Sequence, residues 1–262
     1  SGTEASLANI ERDDLVDFHD AWFRPNNATL VIVGDTTLDE VRPTLERQFS
    51  RWPSRNVPTK NIAPVESPAD ERVYIVDRPD SEQSVIIAAN MVPPTNNPDE
   101  LALQAMNDVL GGMFSARVNM NLREDKSWAY GAYTFVLGAA GPRPYIGYAP
   151  VQTDKTAPSM AELRKELVEI ITTRPPDDEE LAKVIDDSTL SLPGNWETAA
   201  AVANSLGQSL RYGYADDYWD TYAERVRGLT LADLRDAAAK YVQPDRLIWV
   251  VVGDREKIQD EV

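Results

Sequence analysis

The sequence predicts an α+β fold: a mixed, largely antiparallel sheet covered on one face by helices. Three observations carry this. Apolar, β-branched runs stand at residues 73–92 and again at 247–252, the composition of buried strands. A hairpin is predicted in "AYGAYTFVLGAAGPRPYIGYAPV", its halves joined at Gly141-Pro142. Between these, apolar residues recur every three or four positions, as in amphipathic helices.

Each element follows in order. Residues 1–50 predict a helix around 11–23, a strand at 28–33 and a helix from about 38 to 49. Residues 51–72 hold four prolines and little periodicity, which predicts an extended linker. "RVYIVDRP" and "QSVIIAANMV" read as strands separated by the turn-rich "PDSE". "NPDELALQAMNDVLGG" predicts a helix capped by Asn97 or Asp99 and closed by Gly111-Gly112. A second helix follows around Val118 and Leu122. Met160, Leu163, Leu167, Ile170 and Ile171 fall at helical spacing, and Pro175-Pro176 stop that helix. Four more helical segments lead to "RLIWVVV", a strand expected to return to the sheet begun by residues 73–90.

An offset of 219 residues lays "IERDDLVDFHDAWFRPNNATLVIVGD" over "LTLADLRDAAAKYVQPDRLIWVVVGD" without a gap. Asp14, Leu15, Asp17, Pro25, Val31, Val33, Gly34 and Asp35 meet Asp233, Leu234, Asp236, Pro244, Val250, Val252, Gly253 and Asp254. The expectation is an internal duplication whose first copy lacks roughly 150 residues at its front. Three segments follow: 1–50 as the closing helix-strand-helix piece of a preceding repeat, 51–71 as linker, and 72–262 as a complete repeat.

Composition limits the function classes. A formal charge of −17 argues against a general binder of nucleic-acid backbone. No window approaches the length of an apolar membrane span, and no signal peptide opens the sequence. There are no cysteines and one histidine, so thiolate, cysteine-metal and most histidine-based chemistry is excluded. That histidine, His19, sits among Leu15, Phe18, Trp22 and Phe23 and reads as a helix-surface or packing residue. The acidic run in "PPDDEEL" reads as a helix N-terminus. "LGGMFSA" lacks nucleotide-cradle spacing, so its glycines predict helix closure or close backbone approach.

"LREDKSWAYGAY" is the informative stretch. Arg123 ends a helix and Tyr130 begins the next strand. Its plain reading is a solvated helix end; the sharper one is that the guanidinium and phenol converge as two donors on one oxygen. Such donors stabilise a polarised carbonyl in acyl transfer.

This stretch resembles the Arg-to-Tyr signature in the second half of the pitrilysin/insulinase zinc metallopeptidases, with Tyr130 seven positions after Arg123. "VLGGMFSARVNMNLRED" and the two helix-strand segments above are similar to that family as well. The resemblance implies an insulinase-like repeat domain, and a partner half bearing zinc on an inverted His-x-x-Glu-His motif. It also implies a peptide substrate and carbonyl contact through Arg123 and Tyr130. No such zinc motif occurs here, so no metal is expected in this chain, with zinc in an upstream domain or a partner subunit. Alone, the chain is expected to be inactive. The alternative is a non-catalytic assembly subunit or a peptide-binding scaffold. The resemblance further implies a periplasmic or otherwise exported home. "KSW" stands where many relatives read Lys-Gly-Leu, which bears on the turn that places Tyr130.

Overall fold

One mixed sheet contains β1 (Arg72–Asp77), β2 (Gln83–Val92), β3 (Tyr133–Val136), β4 (Arg143–Gln152) and β5 (Ile248–Gly253), in the order β1-β5-β2-β4-β3. The structure is a computed structural model and describes residues 2–262. β5 enters between β1 and β2, parallel to the first and antiparallel to the second. The closing strand thus returns to the sheet as expected. β3 and β4 form the expected hairpin.

Contacts divide the chain into two units, residues 2–62 with 194–207, and residues 63–193 with 208–262. The first unit holds α1 (Glu4–Ala8), α2 (Arg12–Trp22) and α3 (Leu38–Phe49). The second holds α4 (Glu100–Asn107), α5 (Arg117–Asn119), α6 (Thr156–Glu169) and α7 (Asp178–Leu190), then, after α8 (Ala199–Tyr212), α9 (Tyr218–Arg227), α10 (Leu231–Tyr241) and α11 (Arg255–Ile258). Alternate residues of β2 and β4 are fully buried and the intervening ones are partly exposed. The sheet's fully buried face contributes Ile86, Ala149 and Trp249 to the core, where they join Leu103 and Met106 of α4, Leu163 of α6 and Leu234 of α10. This is the period-two pattern of a sheet with one strongly covered face.

α4 departs from its expected capping. Asp99 stands at the N-cap, but its side chain makes no capping bond, and its own N–H donates to Asn97 Oδ1 at 3.0 Å. The Asp99 carboxylate instead accepts from Lys240 Nζ and the Tyr241 hydroxyl, both at 2.6 Å, and so ties α4 to α10. Beyond α4 a π-helical turn, Asp108–Gly112, carries the glycine pair. A Cβ on Gly111 would overlap the Thr134 backbone nitrogen of β3, so only glycine permits this approach. At α7, Asp177 and Glu180 cap the helix reciprocally, and Glu180 also pairs with the buried Arg117. The acidic run is a helix start.

The strand expected at 28–33 is a correction. These residues form no ladder among the described residues. Leu30 is 59% exposed and Ile32 46%. A strand exists by pairing its N–H and C=O groups with neighbours, so apolar alternation without a neighbouring strand leaves extended chain.

Candidate functional site

Arg123 lies in a second π-helical turn, Met120–Asp125, which continues α5. Buried asparagines hold this turn from both sides. Asn121 Nδ2 donates to Glu162 Oε2 at 2.9 Å and Glu166 Oε1 at 2.8 Å, fixing it to α6. Asn119 Nδ2 donates to the Phe114 carbonyl at 2.7 Å, and its Oδ1 accepts from the Ala132 N–H at 3.1 Å. One side chain therefore anchors the loop before the helix and the start of the hairpin. Such buried amides require partners, and here they set the geometry.

Between Arg123 and Tyr130 the chain reverses tightly. The Ser127 N–H returns to the Arg123 carbonyl at 3.0 Å, and the Trp128 and Ala129 N–H groups both reach the Leu122 carbonyl, at 3.0 and 3.3 Å. Ser127 has φ +56°, a left-handed conformation that glycine adopts without penalty and serine does not. Ala129 then bridges Val151 of β4, and the Gln152 N–H donates to the Trp128 carbonyl at 3.2 Å. Tyr130 stands just past this bridge and is 89% exposed.

The structure brings Arg123 and Tyr130 to one corner. The guanidinium carbon lies 5.3 Å from the Tyr130 ring centroid and 4.6 Å from that of Phe114, both within cation–π range. Arg123 Nε also approaches Glu124 Oε1 at 3.2 Å. Phe114 went unrecognised in the sequence. Its signal was an aromatic residue directly after the Gly-Gly-Met close of a helix, where an apolar side chain is left outside the core. The corner therefore presents a partly exposed cation braced by two exposed rings, one of them the phenol of Tyr130. Chemically it can offer N–H and O–H donors to an acceptor oxygen.

His19 takes no part: it stacks on Phe23 with ring centroids 5.0 Å apart. Among the described residues no three His, Cys, Asp or Glu side chains are gathered to hold a metal ion. Among the described residues no helix is long and apolar enough to cross a membrane.

A family profile described as "Peptidase M16 inactive domain" matches residues 9–187. The chain belongs to this family. The resemblance read from the motifs is borne out, and the fold agrees. The peptidase M16 inactive domain from Pseudomonas fluorescens superposes with a TM-score of 0.86 at 19% identity, over 96% of this chain and 59% of that one. The periplasmic protease PqqL from Escherichia coli gives a TM-score of 0.77 at 16% identity, over 100% of this chain and 30% of that one. Among sequences, the "Non-peptidase homolog YmxG" of Helicobacter pylori is 22% identical over 98% of this chain and 59% of its own length. The "Uncharacterized zinc protease YmxG" of Bacillus subtilis is 24% identical over 51% of this chain and 32% of its own. The chain thus spans from 30% to 59% of the length of these relatives. It is an M16 inactive domain in which the described residues gather no zinc-binding group.

Proposed function

We propose that this chain is the non-zinc half of an M16 metalloendopeptidase, closing the peptide chamber and presenting Arg123 and Tyr130 to the carbonyl beside the scissile bond. The observation that carries the reading is the corner itself: Arg123 braced between two aromatic rings, with the Tyr130 hydroxyl exposed beside it. Donors held before the substrate arrives need no reorganisation as negative charge develops on the carbonyl oxygen. In this reading residues 1–50 close a preceding repeat, 51–71 link it onward, and zinc belongs to an upstream domain or a partner subunit. The name of the Bacillus relative supports a zinc partner, and the periplasmic PqqL supports an exported home.

The test compares this chain with the full-length protein for bound zinc and for hydrolysis of a fluorogenic peptide. The full-length protein, with its partner subunit where the zinc half is a separate chain, should hold zinc and cleave, while this chain alone should do neither. In the full-length protein Arg123→Ala should lower kcat on the order of 100-fold and move KM little. Stoichiometric zinc with peptidase activity in the chain alone would overturn the proposal.

A second reading is a non-catalytic assembly subunit or scaffold. It is favoured by the relative named as a non-peptidase homolog, which matches nearly the whole chain. A full-length protein that, together with the subunits that co-purify with it, holds no zinc and cleaves nothing would select it.

A further inference from the structure

A cavity of about 430 Å³ opens within the sheet-bearing unit, between α4, α7, α9 and the end of α8. Its lining includes Gln104 of α4, Asp108 at the start of the π-helical turn that follows, Ser188 of α7, and Tyr218 and Tyr222 of α9, with Arg211 as well. Two acids line it, and they differ. Glu100 is neutralised by the buried Arg143, and Asn97 and Gln104 donate to it at 2.8 and 3.0 Å. Among the described residues no cation pairs with Asp108. Burial and the Asp187 carboxylate of α7 push its pKa up to about 6, opposed by a hydrogen bond from Asn107. Arg211, the other charge here, lies 5.8 Å from the centroid of the Tyr212 ring.

The aromatic wall is firmly built. Tyr218 stacks on Tyr214 with centroids 4.0 Å apart, and the Arg225 guanidinium lies 5.0 Å from its centroid. Burial raises the Tyr214, Tyr218 and Tyr222 phenols above their ordinary range, so they remain neutral. The cavity therefore combines tyrosine surface, amide and hydroxyl groups, and one largely buried carboxylate that a second carboxylate repels.

We propose that this cavity binds one organic cation, an alkylguanidinium or alkylammonium like the end of an arginine or lysine side chain, with Asp108 as its counter-charge. An opposite charge removes the penalty of the buried carboxylate. Tyrosine surface accommodates both an aliphatic stem and a cationic head. The volume falls within the range of small-molecule pockets. A metal ion fits poorly, because one unpaired carboxylate supplies too few ligands. The inference is independent of the Arg123–Tyr130 corner.

The test uses the 262-residue chain, with butylguanidinium and its neutral isostere butylurea as probes in ligand-observed NMR at pH 8. Butylguanidinium should bind saturably with Kd on the order of 1 mM, and butylurea at least tenfold more weakly. Asp108→Asn, which keeps the shape and removes the charge, should weaken the cation at least tenfold. Arg211→Ala should tighten it, since a competing positive charge is lost. Binding should also fade as pH drops through 6 and Asp108 takes up a proton; Asn107, Asp187, Tyr145 and Tyr222 are the groups that face it. Equal binding of the two probes, no saturable binding, or Arg211→Ala weakening the cation would each overturn the proposal. So would undiminished binding to a folded Asp108→Asn.

Discussion

Leu15 of α2 and Leu234 of α10 hold matching places in two similar stretches, yet the first is 62% exposed and the second 0%. Ile32 and Val251 repeat the contrast in the apolar run that follows each helix, at 46% and 0%. Both helices form, because their start signals and apolar spacing lie within a dozen residues. Only residues 248–253 become a strand, because β1 and β2 flank them there. Helix is thus a local property of these sequences, and strand a property of their neighbours.

The contrast can be broken from the buried side. Glu100→Ala would leave Arg143 without its counter-charge while only 1% exposed. The loss should be about 3–5 kcal/mol of the sheet-bearing unit's stability. Hydrogen exchange would report it: amides of 248–253 should lose protection towards the level of 28–33, and unchanged protection would contradict the account. Next comes the matched pair itself. Leu234→Ala should cost about 2–5 kcal/mol in urea unfolding, and Leu15→Ala about 0.5 kcal/mol or less. Similar losses for both would erase the difference between the two regions.

Asp108→Asn should sharpen the contrast by stabilising only the sheet-bearing unit. Because folding raises the Asp108 pKa to about 6 from an ordinary carboxylate value, its ionised form opposes folding. Stability should therefore fall as pH rises from about 4 through 6, by up to about 3 kcal/mol, and stay low above that. The Asn variant should lack this slope and be the more stable protein at pH 7. A smaller gain is expected from Ser127→Gly, which relieves a left-handed serine. It should gain about 0.5–1 kcal/mol, read from the same urea curves.

Much of this architecture was legible before the coordinates. The hairpin, the return of the last strand and the end of the Pro175-Pro176 helix each rest on short-range signals: a turn dipeptide, an apolar run, a pair of breakers. The placement of β5 between β1 and β2 rests on pairing across more than 150 residues, which no local pattern encodes. The same limit explains the mistaken strand at 28–33. It also explains why the side chain of the N-cap residue Asp99 turns instead to Lys240 and Tyr241, which lie far along the chain. At the corner, Arg123 and Tyr130 were visible because one turn separates them. Phe114 was not, since its approach depends on how Asn119 folds the preceding loop back.

The most direct test of the proposed role removes a single oxygen. Tyr130→Phe in the full-length protein keeps the ring that braces Arg123 and deletes only the hydroxyl. The account predicts that kcat for peptide hydrolysis falls on the order of 100-fold while KM stays within about twofold. An unchanged kcat would contradict it and leave the corner as an ordinary solvated helix end.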